Sequence, residues 1–397
     1  MPTRQSPTAV YRAAIAMIVA ILCAALSPLA VSVYDAATTE RQRESEGQHA
    51  EDGALQLFSE AITHIQREAL FGGPNDREEI VAAALRAFLA ERDPYSAFLT
   101  REEYKKFTEI NQQSYAGIGL EIMKRRDGNV ICYPLANGPA ASAGIRAGDR
   151  LIAIDGIPAQ AKSLPSLVAL AAGRPGTTVT VETERSSGDR VTFTLTRAAI
   201  SATTISAVSY GSARVIRLSA FTPDTRQALE YFISNWHRSD PIIIDLRGCG
   251  GGDFHAAIDT AMLFLHKGET IVSLQERGGN RRYTSTINRQ PPIQPVFLWQ
   301  DGATASAAEV FIGALTENSR ATSIGRTSAG KGTKQDIIEL SGGAALFLTT
   351  GFTLTPQGKR FDGRGLEPMH PIAGDSSDTR AYLAKVRALS TTARPKK

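Results

Sequence analysis

Cysteine is scarce: three residues in 397, Cys23, Cys132 and Cys249. They have neither the number nor the CxxC spacing for a structural zinc site or a disulfide scaffold. The histidines, His49, His64, His237, His255, His266 and His370, show no HExxH-type spacing. No metal and no cofactor is indicated. An excess of one charge is also lacking, since 44 Lys and Arg against 40 Asp and Glu leave only +4 along the chain, which argues against nucleic acid as the main ligand. What is present is ordinary globular composition, with 42% hydrophobic, 21% charged and 7% aromatic residues. The length suffices for two or three domains.

One long apolar run stands apart, Ala13 to Val33, preceded by Arg4 and Arg12 and followed by Asp35 and Glu40. At ~1.5 Å per residue it can cross a bilayer, and its cationic amino side predicts that the rest of the chain is exported. The expected location is the periplasmic side of the inner membrane. A cleaved signal peptide reads similarly, although the run exceeds the usual ~7 to 15 apolar residues and no clean small-x-small site closes it. Leu22, before Cys23, is too bulky for a lipoprotein cleavage site. Residues 1–35 are therefore a signal anchor or signal peptide, and the polar stretch 36–50 a tether.

Ala54 to Leu70 and Arg77 to Glu91 carry apolar residues at helical spacing around the breaker GGPND, which predicts a helical segment over 51–112. From Gly117 the period changes to two. GIGLEI, NVICYPL, DRLIAIDG, TVTVETE and RVTFTLT predict short strands, with one helix near Leu164 to Ala172, in a compact β-rich domain over 113–199. Over 200–374 strand and helix alternate (ARVIRLSAF, TRQALEYFISNW; PIIIDLRG, FHAAIDTAMLFL; PVFLWQ, SAAEVFIGAL), which predicts an α/β domain with a mainly parallel sheet. Residues 375–397 read as a loose basic tail.

Three strand-to-helix junctions have chemical potential. IDLRGCGGGD, ending at Asp253, places four glycines in five positions after a strand, a backbone able to aim N–H groups at an oxyanion, or simply a tight turn. In WQDGATASAAEVF, Ser306 precedes a helix among small neighbours, as a nucleophile on an elbow or as an ordinary N-cap. SIGRTSAGKGTKQD resembles a phosphate loop from Gly325 to Lys331, but Gly332 stands where a magnesium-binding Ser or Thr is needed. Lys331 between glycines is either a solvated charge or, if desolvated, a base able to take a proton from a serine. His255 beside Asp253 raises a Ser-His-Asp triad, but neighbours at a helix start seldom point correctly.

Together these segments resemble the carboxyl-terminal processing, or tail-specific, serine peptidases that carry a PDZ domain. The resemblance runs through DPYSAFLTREEYKKF with YAGIGLEI, GPAASAGIRAGDRLIAIDG, TASAAE, GKGTKQ and LTTGFTLTPQGKRFDGRGLEP. It implies a multi-domain α/β protein with a crotonase/ClpP-like peptidase domain, a PDZ domain and short N-terminal helices. It further implies Ser306 as nucleophile, Lys331 as general base and Gln335 as the group orienting the lysine. The oxyanion would be held by the N–H of Ala307 and one from Gly251 or Gly252. Gly117, Ile118, Gly119 and Leu120 would receive the apolar carboxyl-terminal tail of a protein substrate, and an adaptor or activator protein is an expected partner. Cys249, Ala308 and Asp301 depart from the family's usual residues, which bears on loop geometry more than on activity. The competing readings are a silent PDZ adaptor on a peptidase-like scaffold and, on the defective phosphate loop alone, a nucleotide hydrolase.

Overall fold

The structure is a computed structural model that describes residues 52–70, 76–112, 116–125, 127–135, 138–199, 204–211, 213–237, 239–374 and 376–392. The apolar run at 13–33 and the tether at 36–50 lie outside the described residues. Among the described residues no helix is long and apolar enough to cross a membrane. The chain divides into two compact units between Val81 and Ala82. The first contains a helix over 52–68 and the start of the helix Arg77–Arg92, with Arg77 donating to Thr63 Oγ1 at 3.2 Å.

Within the second unit the period-two segments form an antiparallel sheet in the order Leu120–Lys124, Val130–Pro134, Arg150–Ile154, Thr178–Glu184, Arg190–Thr196. The helix Leu164–Ala171 starts where Ser163 caps the Ser166 N–H and Pro165 sits in the first turn. Its Leu167 and Ala171 pack with Ile118, Leu120, Cys132, Ile154 and Val181. Among the described residues Leu120–Lys124 is an edge strand of this sheet, so one row of its backbone groups has no partner strand there.

A six-stranded sheet follows, ordered Ile205–Tyr210, Ala213–Leu218, Ile242–Asp245, Val296–Gln300, Ala321–Gly325, His370–Pro371. The first two strands form a hairpin and every later pairing is parallel. Strand alternation divides the apolar side chains between the faces. Ile216, Ile244 and Leu298 pack with Leu229, Ile258 and Phe311 of the helices Thr225–Ser234, Phe254–Ala261 and Ala307–Glu317. Val215, Ile243, Phe297, Trp299 and Ile324 emerge on the other face. A sheet apolar on both sides must be covered on both sides.

That requirement corrects the reading of the carboxyl-terminal segment. Thr379–Thr392 is a helix, and its Tyr382, Leu383 and Val386 cover the second face. The Tyr382 ring lies 5.2 Å from Trp299 and its hydroxyl donates to the Gln300 carbonyl at 3.0 Å. The spacing of Tyr382, Leu383, Val386 and Leu389 is helical and was readable; the basic residues between them obscure it. A further five-stranded antiparallel sheet joins Ala97–Leu99, Ala345–Leu354, Thr270–Glu276, Gly279–Thr284 and Thr333–Glu339. Strand–helix alternation gives no hint of it.

Removing the aromatic anchor leaves a cavity over Trp299. Tyr382→Ala is expected to cost about 3–5 kcal/mol of stability, measured by urea unfolding, with Tyr382→Phe losing only the hydroxyl contribution of about 1 kcal/mol.

Candidate active site

The parallel strands Ile242–Asp245, Val296–Gln300 and Ala321–Gly325 end side by side, so the loops that follow them converge at one edge, where open α/β sheets gather their functional groups. These loops contain the three junctions picked out from the sequence. The first is anchored by Arg247, which grips Asp245 through two bonds of 2.8 and 2.7 Å. The same guanidinium lies over the Trp299 and Tyr382 rings and donates to Ser376 O and Thr379 Oγ1. The second loop is pinned to the first. Asp301 accepts from the N–H groups of Gly248 and Ala303, both at 3.0 Å, and Thr304 donates to Leu246 O at 2.9 Å. Asp301, one of the departures from the family's usual residues, therefore ties two loops together.

Ser306 stands at the N-cap position of the helix Ala307–Glu317 with φ 55° and ψ −120°. An ordinary cap is extended; this conformation is the strained elbow that projects a side chain from a strand-to-helix turn. Gly251 explains how the glycine loop reaches it. With φ 113°, its backbone comes so close that a side chain there would begin 2.7 Å from Ser306 Cβ and 2.9 Å from the Ala307 nitrogen. Gly252 is pressed against Phe221 instead, held by Phe221 N–H to Gly251 O at 2.7 Å and Asp253 N–H to Phe221 O at 2.8 Å. Of the two glycines, Gly251 is the one that faces Ser306. Its N–H has no backbone acceptor among the described residues and is directed at the Cys249 sulfur.

Lys331 is brought to Ser306 by a residue that the sequence reading did not assign. Glu309, one turn into the helix and fully buried, accepts four hydrogen bonds. Oε2 takes the backbone N–H groups of Ser306 and Lys331, both at 2.8 Å. Oε1 takes the Gly330 N–H at 2.7 Å and the Ser328 hydroxyl at 2.6 Å. Four donors fill the acceptor sites of an ionised carboxylate, and they oppose burial, which pushes its pKa up. The glycines around Lys331 permit this packing: Gly330 (φ 78°) lies against the backbone of Arg364 and Gly365, and Gly332 against Asp362. The N–H groups that a phosphate loop would offer to a nucleotide are thus already committed to carboxylates.

Burial pushes the Lys331 ammonium below the ordinary lysine value, against the pull of Glu309 and Glu121. Gln335 lies two residues into the next strand, and its amide donates to Thr333 Oγ1 at 2.8 Å and Thr349 Oγ1 at 3.3 Å. No described hydrogen bond joins it to Lys331. His255 is exposed and sits beside Phe254 and Tyr283. Cys249 is fully buried and its thiol is pushed up to about 12, mainly by desolvation, which makes it unreactive.

The GIGL segment is held by its carbonyls: Ile118 O accepts from Ala140 N and Gly119 O from Leu135 N, at 2.8 and 2.9 Å. Gly119 has φ 63°. Beyond it, the strands Leu120–Lys124 and Val130–Pro134 are apolar on both faces. Met123, Ile131 and Tyr133, on the side away from their own domain's core, pack on Ala303, Ala305 and Ala329 of the loops around Ser306. Glu121 shares that side. Its Oε2 and the Tyr133 ring lie over Gly250, where a side chain would begin 3.4 and 3.2 Å from them. Burial raises the Glu121 carboxyl to about 7, with Lys331 opposing.

Residues 213–372 match peptidase family S41 and residues 130–185 match a PDZ domain. The chain thus carries an S41 peptidase domain together with a PDZ domain. Among its relatives, the carboxy-terminal processing protease CtpA of Bacillus subtilis (strain 168) is 30% identical over 298 residues, which cover 74% of this chain and 64% of that protein. A probable CtpA-like serine protease of Staphylococcus aureus (strain COL) is 31% identical over 299 residues, covering 74% and 60%. The match thus spans less than two thirds of either relative. A solved structure, the photosystem II D1 C-terminal processing protease, aligns with a TM-score of 0.69 at 26% identity, over 86% of this chain and 98% of that one. Glu309 was legible as the fourth position of an S-x-x-E capping pattern; Glu121 and Tyr133 had no such signal.

Two outcomes test this geometry. Glu309→Gln places an amide N–H among four donors and is expected to cost about 2–5 kcal/mol in urea unfolding. For Glu121, folding takes up a proton between its ordinary value of 4.5 and about 7, so this group's contribution falls as pH rises through that window. Glu121→Gln should therefore match the parent below pH 4.5 and gain up to about 3 kcal/mol over it by pH 7, with no further gain above. Thermal melts across pH read the difference.

Proposed function

We propose that the chain is an exported serine endopeptidase that cleaves protein substrates, chosen partly through their carboxyl-terminal tails, by a Ser306–Lys331 acyl-enzyme mechanism. The observation that carries this reading is the shared Glu309 carboxylate, which fixes the backbones of Ser306 and Lys331 within two hydrogen-bond lengths of each other. A serine hydroxyl is a poor nucleophile unless a neutral base accepts its proton as it attacks. Desolvation favours the neutral amine of Lys331. Lys331 takes the Ser306 proton as Oγ bonds to the scissile carbonyl carbon, and the carbonyl electrons move to oxygen. The N–H groups of Ala307 and Gly251 receive that oxyanion. The protonated lysine then gives its proton to the departing amine as the C–N bond breaks. Water, deprotonated by Lys331, releases the acyl group in a second round. Gln335 serves as the polar neighbour that orients the lysine once substrate is bound.

Tail selection falls to the PDZ domain. The edge strand Leu120–Lys124 offers unpaired backbone groups to an added strand, and the Gly117, Ile118, Gly119 and Leu120 segment offers N–H groups to a terminal carboxylate. Because the same domain lies over the glycine loop, arrival of a tail or of an adaptor protein shifts it to admit the scissile bond. The apolar run at Ala13–Val33 directs the peptidase to the periplasmic side, as an anchor or as a signal removed after export.

The test uses an unfolded protein with an apolar carboxyl terminus and the same protein amidated there, with products followed by mass spectrometry. Ser306→Ala and Lys331→Ala are each expected to lower turnover by a factor of about 10⁴ or more. Amidation should raise KM and leave the cleavage sites unchanged. Turnover of the parent should rise with pH through the lowered lysine pKa. Equal cleavage by parent and Ser306→Ala would sink the mechanism, and tail binding without cleavage by the parent would favour the adaptor.

A further inference from the structure

A cavity of about 1080 Å³ lies between the PDZ domain and the carboxyl edge of the peptidase sheet. Arg125, Arg146 and Arg185 line it from the PDZ side and Arg217, Arg247 and Arg326 from the peptidase side. Two carboxylates line it as well, and both are engaged. Asp149 pairs with Arg185 at 3.1 Å and accepts the Arg146 N–H; Asp301 accepts the backbone N–H groups of Gly248 and Ala303. Behind the wall, Asp245 is gripped by Arg247, with Arg217 a more distant second partner at 3.3 Å.

These pairings leave Arg125, Arg146 and Arg326 with no described carboxylate in ion-pair reach. Arg125 donates from one terminal nitrogen to Gly302 O, and its Nε is buried with no partner among the described residues. Arg326 donates to the Gly374 carbonyl, and Arg146 projects exposed at the mouth. The walls are low-dielectric protein, which concentrates the field of this uncompensated positive charge in the cavity. Guanidinium forks bind oxyanions through paired hydrogen bonds. The volume exceeds that of a single phosphate and matches a small-molecule site.

We propose that this cavity binds a compact ligand bearing several oxyanionic groups, clustered phosphates or carboxylates, and that the ligand bridges the PDZ and peptidase domains. Its position makes it distinct from the place where a bond would be cut. Ser306, Lys331 and Gly251 do not line the cavity, and the apolar contact of Met123 and Tyr133 with Ala303 and Ala305 involves the loop between them. Its floor, however, is formed by Arg247 and Gly248 at the start of the glycine loop and by Asp301, Gly302 and Ala303 at the start of the Ser306 loop. An anion held by Arg146 on one side and Arg326 on the other ties the PDZ domain to the start of the loop that leads to Lys331, beside the other two loops. The binding does not depend on the peptidase reading.

The full chain, carrying Ser306→Ala so that it survives the measurement, is titrated calorimetrically at low and high salt with tripolyphosphate, citrate, a tetraglutamate peptide and acetate. Tripolyphosphate, citrate or tetraglutamate should bind at low salt at least tenfold more tightly than acetate. The tightest of them names the source: a free polyphosphate, a small polycarboxylate or an acidic polypeptide. Arg146→Gln with Arg326→Gln should weaken that binding at least tenfold and abolish the accompanying rise in melting temperature. Without ligand, the double variant should melt no lower than its parent, because it relieves repulsion between like charges; that melt separates a lost site from a lost fold. No binding by any multivalent probe, or binding that the folded double variant retains at parental strength, overturns the proposal.

Discussion

A single buried carboxylate sets the geometry on which the rest of the active edge depends. Glu309 has no freedom: its helix fixes its backbone, its burial excludes water, and four donors from two chain segments occupy its oxygens. A charge so placed is costly unless every acceptor site is filled. The cost is offset only when Ser306, Ser328, Gly330 and Lys331 arrive together, so the carboxylate selects one arrangement of loops over all near alternatives. The glycines on either side of Lys331 follow from this demand, because residues 362–365 lie where side chains would otherwise be.

Much of this architecture was legible because it is written locally. Ile242–Asp245 and Val296–Gln300 are apolar without alternation and read as strands covered on both faces, as they are. Ser306 and Lys331 could be placed because small residues and glycines mark sharp turns at fixed points after a strand. The five-stranded antiparallel sheet was not legible, since it joins segments as distant as Ala97–Leu99 and Ala345–Leu354 and pairing at such range leaves no periodic trace. Glu121 and Tyr133 belong to the same class. Their neighbours are in another domain, and nothing in a strand's own sequence tells which protein surface will meet its outer face. The carboxyl-terminal helix differs again: its apolar spacing was present, and its positive charges concealed it.

The seam between the PDZ strands and the Ser306 loops is balanced between opposed contributions. Apolar contact of Met123, Ile131 and Tyr133 with three alanines favours the docked arrangement. Against it stand the Tyr133 hydroxyl and Arg125 Nε, both buried without partners among the described residues, and the desolvated Glu121. Orphaned polar groups of this kind each oppose burial by about 1–3 kcal/mol. Two surfaces that meet with such mixed consequences separate more readily than a uniformly apolar core. Modest binding energy at either surface is then enough to shift their relation.

The clasp of Arg247 has an implication for the order in which this protein matures. Every side chain discussed at the active edge, from Asp245 to Lys331, leaves the ribosome before Thr379 and Tyr382, yet Arg247 donates to Ser376 O and Thr379 Oγ1 and lies against the Tyr382 ring. A nascent chain that already has its serine and its lysine still has an open second sheet face and an unclasped glycine loop. The helix Thr379–Thr392, made after all of them, is the one that closes both. The glycine loop thus reaches its final geometry only once this helix has been made, and a copy without it is held short of that geometry by its own topology.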